Sequence, residues 1–452
     1  MNENDILKTF KEQMDDLQNI VDEYIISDNE KTQLSETAYD LICETVQTDP
    51  MLYIHSNFHE NVSAQIYELL KNQLEHVFNN SIFTEYINQV IISSIENALQ
   101  MFYKEIAPIR SYKDTMIIKD NENDIYRNYI SEKINYLNSV PQPQQRTSEW
   151  YAFRQNVLTA SNIWKVFSSQ NTKNQLIYEK CIPFDIDKYN TTFTNTTSSM
   201  HWGQRFEPVS IMYYENTYNT KVGDFGCIPH KTIKCLAASP DGINISNDSG
   251  RYGRMLEVKN IVNRVIDGVP KMEYWIQMQV QLEVCDLDEC DFLETRFIEY
   301  ENEEMFNTDF SISSFHKGLI MYFNDNGKPL YEYSKWGANR NEIDIWENEM
   351  IEKHSNIELI QYIYWKLEEV SCVLVMRNKL WFNAAKPMIE EIWEIIAREK
   401  ESGEYKKREP KKKMSKNFTE NTKCLININL LNDLGDIPEE KELENIFFNN
   451  NN

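Results

Sequence analysis

The segment Ser239-Pro240-Asp241-Gly242, followed by Leu256-Glu257-Val258-Lys259, gives the strongest indication of the architecture of this protein. Glu257 and Lys259 are two residues apart, so on a strand their side chains point to the same face. Two carboxylates on neighbouring strands can hold a divalent cation through oxygen ligands and leave positions for water and phosphate. The pattern therefore predicts that Asp241, Glu257 and Lys259 converge, with the lysine placed to offset negative charge.

Each of these tripeptides also has a purely structural interpretation, in which Pro-Asp-Gly is a turn and Glu-Val-Lys is a half-exposed strand. The surrounding sequence favours the functional interpretation, because further motifs occur at ordered spacings. These motifs are Glu149–Arg154 (EWYAFR), Leu158–Ser161 (LTAS), Trp202–Pro208 (WGQRFEP) and Tyr274–Gln281 (YWIQMQVQ). Together with the central segment, they resemble the YqaJ-type viral recombinase family, a lambda exonuclease-like group of the PD-(D/E)XK nuclease superfamily.

The resemblance implies an α/β (α+β) protein with a restriction-endonuclease-like core, a central mixed sheet flanked by helices. It also implies a DNA nuclease that requires Mg²⁺, for which Mn²⁺ substitutes. The leading hypothesis is a viral 5′→3′ exonuclease that acts on double-stranded DNA ends and leaves single-stranded tails for recombination or repair. Two alternatives remain open: a structure-specific endonuclease or nickase, and a non-catalytic DNA-binding or assembly protein of a recombination complex. A single-strand annealing protein is a candidate partner, and a homo-oligomeric ring is a candidate assembly.

The family motifs assign candidate roles around the central segment. Asp241 and Glu257 are the predicted metal ligands, with the main-chain carbonyl of Val258 as a third, and Lys259 is the predicted catalytic lysine. Glu207 matches the helix acid of the family, which implies that it is catalytic and faces the same metal centre. A solvated helix glutamate is the structural alternative for Glu207.

The glutamine-rich motif is predicted to lie on a helix beside the site. Gln277 and Gln281 are four residues apart and share one helix face, whereas Gln279 points elsewhere. The resemblance makes Gln277 the glutamine expected to reach the active site as a catalytic residue, with Gln279 a weaker candidate. Tyr274 either supports the same wall or packs in the core.

A second subsite is implied for the terminal 5′-phosphate of DNA. Arg154 and Ser161 match the family positions that bind it, since a guanidinium can hold a phosphate bidentately and a hydroxyl adds a donor. Trp150 either stacks on a base or packs in the core. His201 is expected to be a structural histidine.

Composition limits the class of protein. The chain has 452 residues, 41% of them hydrophobic, which predicts two units or one core with appended segments. The polar, acidic start and the lack of a run of about 18 apolar residues predict a soluble, intracellular protein without a membrane partner. Eight cysteines without a Cys-x-x-Cys pair predict reduced thiols.

The net charge of −25 is unfavourable for contact with DNA phosphates, but it is unevenly distributed. Residues 1–145 carry 10 basic and 24 acidic residues, whereas residues 146–300 carry 16 and 19. The segment that contains the motifs is therefore nearly neutral, and bound metal would neutralise several of its acids.

Three regions are predicted along the chain. Residues 1–140 form an acidic helical accessory region, predicted to fold separately, with amphipathic spacing over residues 7–24 and 66–77. A Pro/Gln linker at 141–145 opens a nuclease domain at 141–402. Residues 403–452 form a basic, then Asn-rich tail that is predicted to be disordered. Its basic run at 406–413 contacts DNA, directs nuclear import or is only a solvated run of charge. The predicted location is the cytoplasm or nucleus of a host cell.

Within the nuclease domain, the periodicity predicts a helix, three extended stretches, a second helix and a strand. The predicted helices cover 204–218 and 273–284, and the predicted strands cover 222–228, 236–239, 255–260 and 292–300. Asn326-Gly327 predicts a hairpin, 362–375 a further strand and 381–397 an amphipathic helix.

Overall fold

The helix Asp28–Thr48 begins where a capping residue and apolar spacing coincide. Ser27 caps the helix that begins at Asp28 by accepting from Glu30 N, while the Glu30 side chain accepts from Ser27 N, a complete capping box. The apolar side chains Ala38, Ile42 and Val46 follow at four-residue intervals and are buried. Local sequence therefore specifies both the start of this helix and the face that it buries.

The protein is seen in a computed structural model that describes residues 8, 10–15, 26–75, 84–113, 124–145, 147–185, 196, 198–312 and 315–410. The helices are α1 Asp28–Thr48, α2 Phe58–Glu75, α3 Thr84–Glu105, α4 Asp124–Ser139, α5 Ser148–Gln155, α6 Ala160–Ile163, α7 Gln170–Cys181, α8 Ser199–Tyr218, α9 Met272–Cys285, α10 Glu303–Ile312, α11 Arg340–Lys353 and α12 Lys379–Ser402. Three 3₁₀ segments cover Pro50–Ile54, Trp164–Phe167 and Glu404–Arg408.

The strands are β1 Leu158–Thr159, β2 Val222–Gly223, β3 Ile228–Pro229, β4 Leu236–Ala238, β5 Gly242–Asn244, β6 Met255–Asn260, β7 Glu289–Glu299, β8 Lys317–Asp325, β9 Lys328–Tyr333 and β10 Glu358–Met376. Among the described residues, seven strands form the main sheet in the order β2-β5-β6-β7-β10-β8-β9. Only the β6–β7 pair in that sheet is parallel. Strands β1, β4 and β3 form a smaller mixed sheet.

The predicted fold class is confirmed, because a mixed sheet carries helices and extra helices precede it. Strand β6 has the predicted bounds, and β7 continues from β6 through α9 as a parallel crossover. The Asn326-Gly327 hairpin is also confirmed: both residues have positive φ, which a type I′ turn between twisted strands requires. Patterns that depend on near neighbours in sequence were therefore sufficient for these elements.

A shared hydrophobic core crosses the predicted boundary near residue 140. The largest cluster of buried apolar side chains includes residues from α1, α3 and α4 together with residues from α9 and α12. The ring of Tyr53 stacks on that of Trp275 at 6.4 Å between centroids, and Tyr112 pairs with Leu374 at the end of β10. The described residues up to Glu409 form one compact unit. The boundary stays a prediction, but this core opposes the separate folding that we predicted for the first region.

The segment predicted as a linker is non-helical and packed rather than free. Gln142 Oε1 accepts from Gly226 N at 2.7 Å, and Pro143 O accepts from Cys227 N at 3.3 Å. A Cβ added at Gly226 would lie 2.4 Å from Pro143 O, so only glycine allows this close approach.

Several expectations fall on residues outside the described ranges. They are the tail from 411 onwards, residues 411–413 of the basic run, and Leu7, Leu17, Val21, Tyr24 and Val77 of the amphipathic patterns. Seven cysteines in the described residues are free thiols. No helix formed by described residues combines the length and the apolar character that crossing a bilayer requires.

Candidate active site

Strand register brings the two predicted metal-binding carboxylates together. Gly242 in β5 lies opposite Leu256 in β6 in an antiparallel pair. Because each step along one strand is matched by a reverse step along its partner, Asp241 comes beside Glu257. Val258 N donates to Asp241 Oδ2 at 2.8 Å, which orients the aspartate at the start of β5.

Three side chains hold the carboxylate of Glu257, which is fully buried. Lys259 Nζ and Gln277 Nε2 both donate to Oε1, the glutamine at 2.7 Å. Gln281 Nε2 donates to Oε2 at 2.7 Å. Burying a carboxylate is unfavourable unless it is paired and hydrogen bonded, and here both conditions are met. The orientation of Glu257 is therefore fixed by α9 and by its own strand.

The predicted lysine contacts the Glu257 carboxylate and lies near an aromatic ring. Lys259 Nζ lies 5.1 Å from the ring centroid of Tyr274, and its side chain is 23% exposed. Loss of hydration lowers the pKa of Lys259, but the carboxylates of Glu257 and Asp241 outweigh this effect and the net shift is upward. The ammonium is therefore held in its charged form.

For the pKa of Asp241, loss of hydration is not outweighed by nearby charges. Loss of hydration raises its pKa well above the usual value, and the charges of Glu257 and Glu207 raise it further. The ammonium of Lys259 and the N–H of Val258 lower the pKa but do not compensate. Three acids thus act on one another beside a single lysine, an arrangement that additional positive charge would stabilise.

The donor chemistry of this group fits a hard divalent cation. Asp241 Oδ2 is used by Val258 N, and Oδ1 has no donor within the part of the chain that the structure describes. Among the described residues, no group of three or more His, Cys, Asp or Glu side chains is arranged to hold a metal ion. Mg²⁺ is commonly held by one or two carboxylates and keeps several waters, so Asp241 and Glu257 with a main-chain carbonyl are a sufficient set.

Glu207 lies on α8, the helix that packs on β6. It is partly exposed and close enough to Asp241 for its charge to raise the pKa of that residue. Its predicted role as a metal ligand stays a prediction.

The structure brings the predicted 5′-phosphate residues together at a second position. Arg154 Nη2 donates to Ser161 Oγ at 3.1 Å, and the guanidinium carbon lies 4.1 Å from the ring centroid of Trp150. A guanidinium stacked on an indole keeps its plane fixed, as bidentate recognition of a phosphate requires. The geometry therefore suits an anion without identifying one.

Ser239 connects this subsite to the carboxylates, a link that sequence reasoning missed. Trp150 Nε1 donates to Ser239 Oγ at 3.4 Å, and Gln281 Nε2 donates to Ser239 O at 3.2 Å. The same Gln281 amide donates to Glu257. Its spacing from Gln277 predicted the shared face, but nothing in the sequence indicated that both glutamines bind one carboxylate.

Lys180 is a second residue near the site that no sequence pattern indicated. It is 5% exposed, and its Nζ donates to Arg154 O at 2.6 Å, at the carboxyl end of α5. Burial lowers the pKa of Lys180 to about 8, and the nearby charge of Arg154 acts in the same direction. The contact joins residues 26 positions apart, so only the packing of α7 against α5 creates it.

The remaining candidates lie in supporting positions. Gln279 Nε2 donates to Met376 O and its Oε1 accepts from Asn378 N, so it connects α9 to the start of α12. Tyr274 packs near Phe292, with ring centroids 6.0 Å apart. His201 is buried and its Nε2 is hydrogen bonded to the hydroxyl of a tyrosine in β9 at 2.5 Å.

Comparison with known proteins identifies the segment that holds this site. Residues 149–288 match the model of the YqaJ-like viral recombinase domain, which confirms the resemblance for that segment. An uncharacterized protein, R354, of Acanthamoeba polyphaga mimivirus is 28% identical over 338 residues. The alignment covers 64% of this chain and 60% of that protein, less than two thirds of the relative's length.

Among solved structures, the chain is similar to an alkaline exonuclease (LHK-Exo) from Laribacter hongkongensis, with a TM-score of 0.33 and 18% identity. The match covers 58% of this chain and 98% of that one. The complex of LHK-Exo with dAMP gives a TM-score of 0.34 with the same identity and coverage.

Proposed function

We propose that this protein, whose residues 149–288 carry a YqaJ-like viral recombinase domain, is a metal-dependent nuclease that degrades double-stranded DNA from its ends in the 5′→3′ direction. The observation that carries the proposal is the Glu257 carboxylate, buried beside Asp241 and held by Lys259, Gln277 and Gln281. A structural strand has no need for such a concentration of charge and hydrogen bonding around one acid.

Asp241, Glu257 and the Val258 carbonyl would hold a Mg²⁺ ion, with Glu207 facing it, and Mn²⁺ would substitute. The ion would lower the pKa of a bound water and withdraw charge from the phosphate. Lys259 keeps its proton and offers positive charge to the oxygens that become more negative in the transition state. Gln277 fixes the direction of Glu257, so the acid does not need to reorganise during the reaction.

The 5′→3′ direction of digestion would follow from the second subsite. Arg154 and Ser161 are proposed to bind a terminal 5′-phosphate, and Trp150 holds the guanidinium plane by stacking. Ser239 contacts both Trp150 and Gln281, so the distance between a bound end and the carboxylates is fixed by the backbone before β5. Binding of an end beside the reacting phosphate favours an exonuclease over an endonuclease.

The decisive experiment incubates the protein and Mg²⁺ with 5′-labelled linear duplex and, separately, with covalently closed circular duplex. We expect release of label from the linear duplex and an intact circle. Lys259→Ala should slow release about a hundredfold, since a preorganised charge at the transition state contributes ~3 kcal/mol. Lys234→Ala is the matched control, because this exposed lysine precedes β4 in the same domain.

Other results would indicate a different function for this protein. Nicking of the closed circle would replace the exonuclease by an endonuclease. Retained DNA binding without cleavage of either substrate would indicate an assembly protein. Normal rates for Asp241→Ala, Glu257→Ala and Lys259→Ala would refute the site itself.

A further inference from the structure

Asn260, the last residue of β6, connects the strand of the candidate site to α8. Its Oδ1 accepts from Ser210 Oγ at 2.7 Å and from Thr295 Oγ1 at 2.8 Å. Its Nδ2 donates to Gly203 O at 2.8 Å. Ser210 and Thr295 are fully buried, and their hydroxyl oxygens lie 2.9 Å apart. One side-chain amide thus joins two strands and a helix.

The two helix positions that Asn260 contacts are on either side of Glu207. Gly203 precedes Glu207 by four residues and Ser210 follows it by three, and these spacings place all three on one helix face. Asn260 is also the residue directly after Lys259 and is three positions from Glu257. A rotation or slide of α8 would therefore break the Asn260 contacts before it could move Glu207 away from the carboxylates.

We propose that Asn260 is a positioning residue that fixes Glu207 relative to Asp241 and Glu257, and so sets the affinity of the site for its divalent cation. This inference rests on the proposed function, in which these acids face the metal. Residues that orient a metal-binding side chain typically change metal affinity 10- to 100-fold when they are removed. A half-buried amide that only stabilised the fold would change stability without changing that affinity.

The test measures Mn²⁺ binding by electron paramagnetic resonance on the full chain, without DNA. We expect Asn260→Ala to weaken binding about 10- to 100-fold. Ser210→Ala, which removes one of the hydrogen bonds to Asn260, should weaken binding in the same direction by a smaller factor. Ser210→Ala also tests the effect on Mn²⁺ affinity if Asn260→Ala does not fold.

Thr220→Val is the matched control. Thr220 Oγ1 donates to Asn244 Oδ1 at 2.8 Å just beyond the other end of α8, and the residue is buried. The variant therefore loses one buried hydrogen bond near the same helix but should bind Mn²⁺ normally.

A double variant separates positioning from an independent effect. If Asn260 acts through Glu207, then Glu207→Ala/Asn260→Ala should bind Mn²⁺ no more weakly than Glu207→Ala alone. Normal Mn²⁺ affinity in both Asn260→Ala and Ser210→Ala, or full multiplication of the two effects in the double variant, would overturn the inference. Wild-type protein that binds Mn²⁺ but cuts no DNA would overturn the proposed function and leave the inference intact.

Discussion

Replacing Arg110 by methionine tests whether the first 140 residues and the candidate site share one folded unit. The Arg110 side chain is buried, and Nη1 donates to Tyr53 O and Ile54 O at 2.9 Å each. Nε and Nη2 donate to Pro270 O at 3.0 and 2.8 Å, just before the helix that carries Gln277. One guanidinium therefore joins the early helical region to the start of α9.

The expected loss in the free energy of unfolding follows from the carbonyl acceptors that Arg110→Met leaves without this donor. Three carbonyl oxygens lose this donor, and each buried acceptor left unsatisfied costs about 1 to 3 kcal/mol. Water that enters at the new gap offsets part of this loss. The variant also loses the guanidinium that lies 5.3 Å from the ring centroid of Trp275, although methionine still fills part of that space. We expect the free energy of unfolding to fall by about 3 to 5 kcal/mol, within the range for breaking a buried charged contact.

The assay is equilibrium unfolding in urea, followed both by far-ultraviolet circular dichroism and by tryptophan fluorescence. In a single cooperative unit, both signals should shift together to lower urea. Lys113→Met, an exposed site three residues away, is the control and should unfold like the wild type. Two separated transitions, with only one of them moved by Arg110→Met, would refute the shared-core reasoning and restore the separately folded module.

Three further outcomes are expected. Arg154→Ala should reduce the preference for 5′-phosphorylated over 5′-hydroxyl ends about 10- to 100-fold in a digestion assay. Only the phosphate dianion can form charge-assisted hydrogen bonds with the guanidinium. Equal effects on both kinds of end would refute the subsite. Lys180→Met should remove a rise in stability with pH. Burial lowers the pKa of Lys180 to about 8, so between pH 8 and 10.5 the unfolded chain keeps a proton that the folded chain has lost. Over this range the free energy of unfolding of the wild type, measured in urea, should rise by about 3 kcal/mol relative to that of the variant. Parallel pH curves would contradict this. Gln281→Leu should slow cleavage about 10- to 100-fold with little loss of DNA binding, because Glu257 loses an orienting donor.

Much of the candidate site could be predicted because its chemistry is encoded in local sequence. The spacing of Glu257 and Lys259 sets their common face, and Gln277 and Gln281 fall on one face of a helix with nearly the predicted bounds. Motif order then identified the family segment that the comparison confirms. Roles for these residues stay predictions until activity is measured.

Local sequence was enough to predict strand β6, helix α9 and the Asn326-Gly327 turn, because periodicity or a required positive φ leaves few alternatives there. Which elements contact one another became known only from the folded structure. The contact of Lys180 with Arg154, the bridge of Asn260 to α8 and the tie of Arg110 to Pro270 join residues 26 to 160 positions apart. Such contacts depend on the packing of whole helices and strands. The sequence around a side-chain donor or acceptor does not identify the distant partner that packing brings into contact with it.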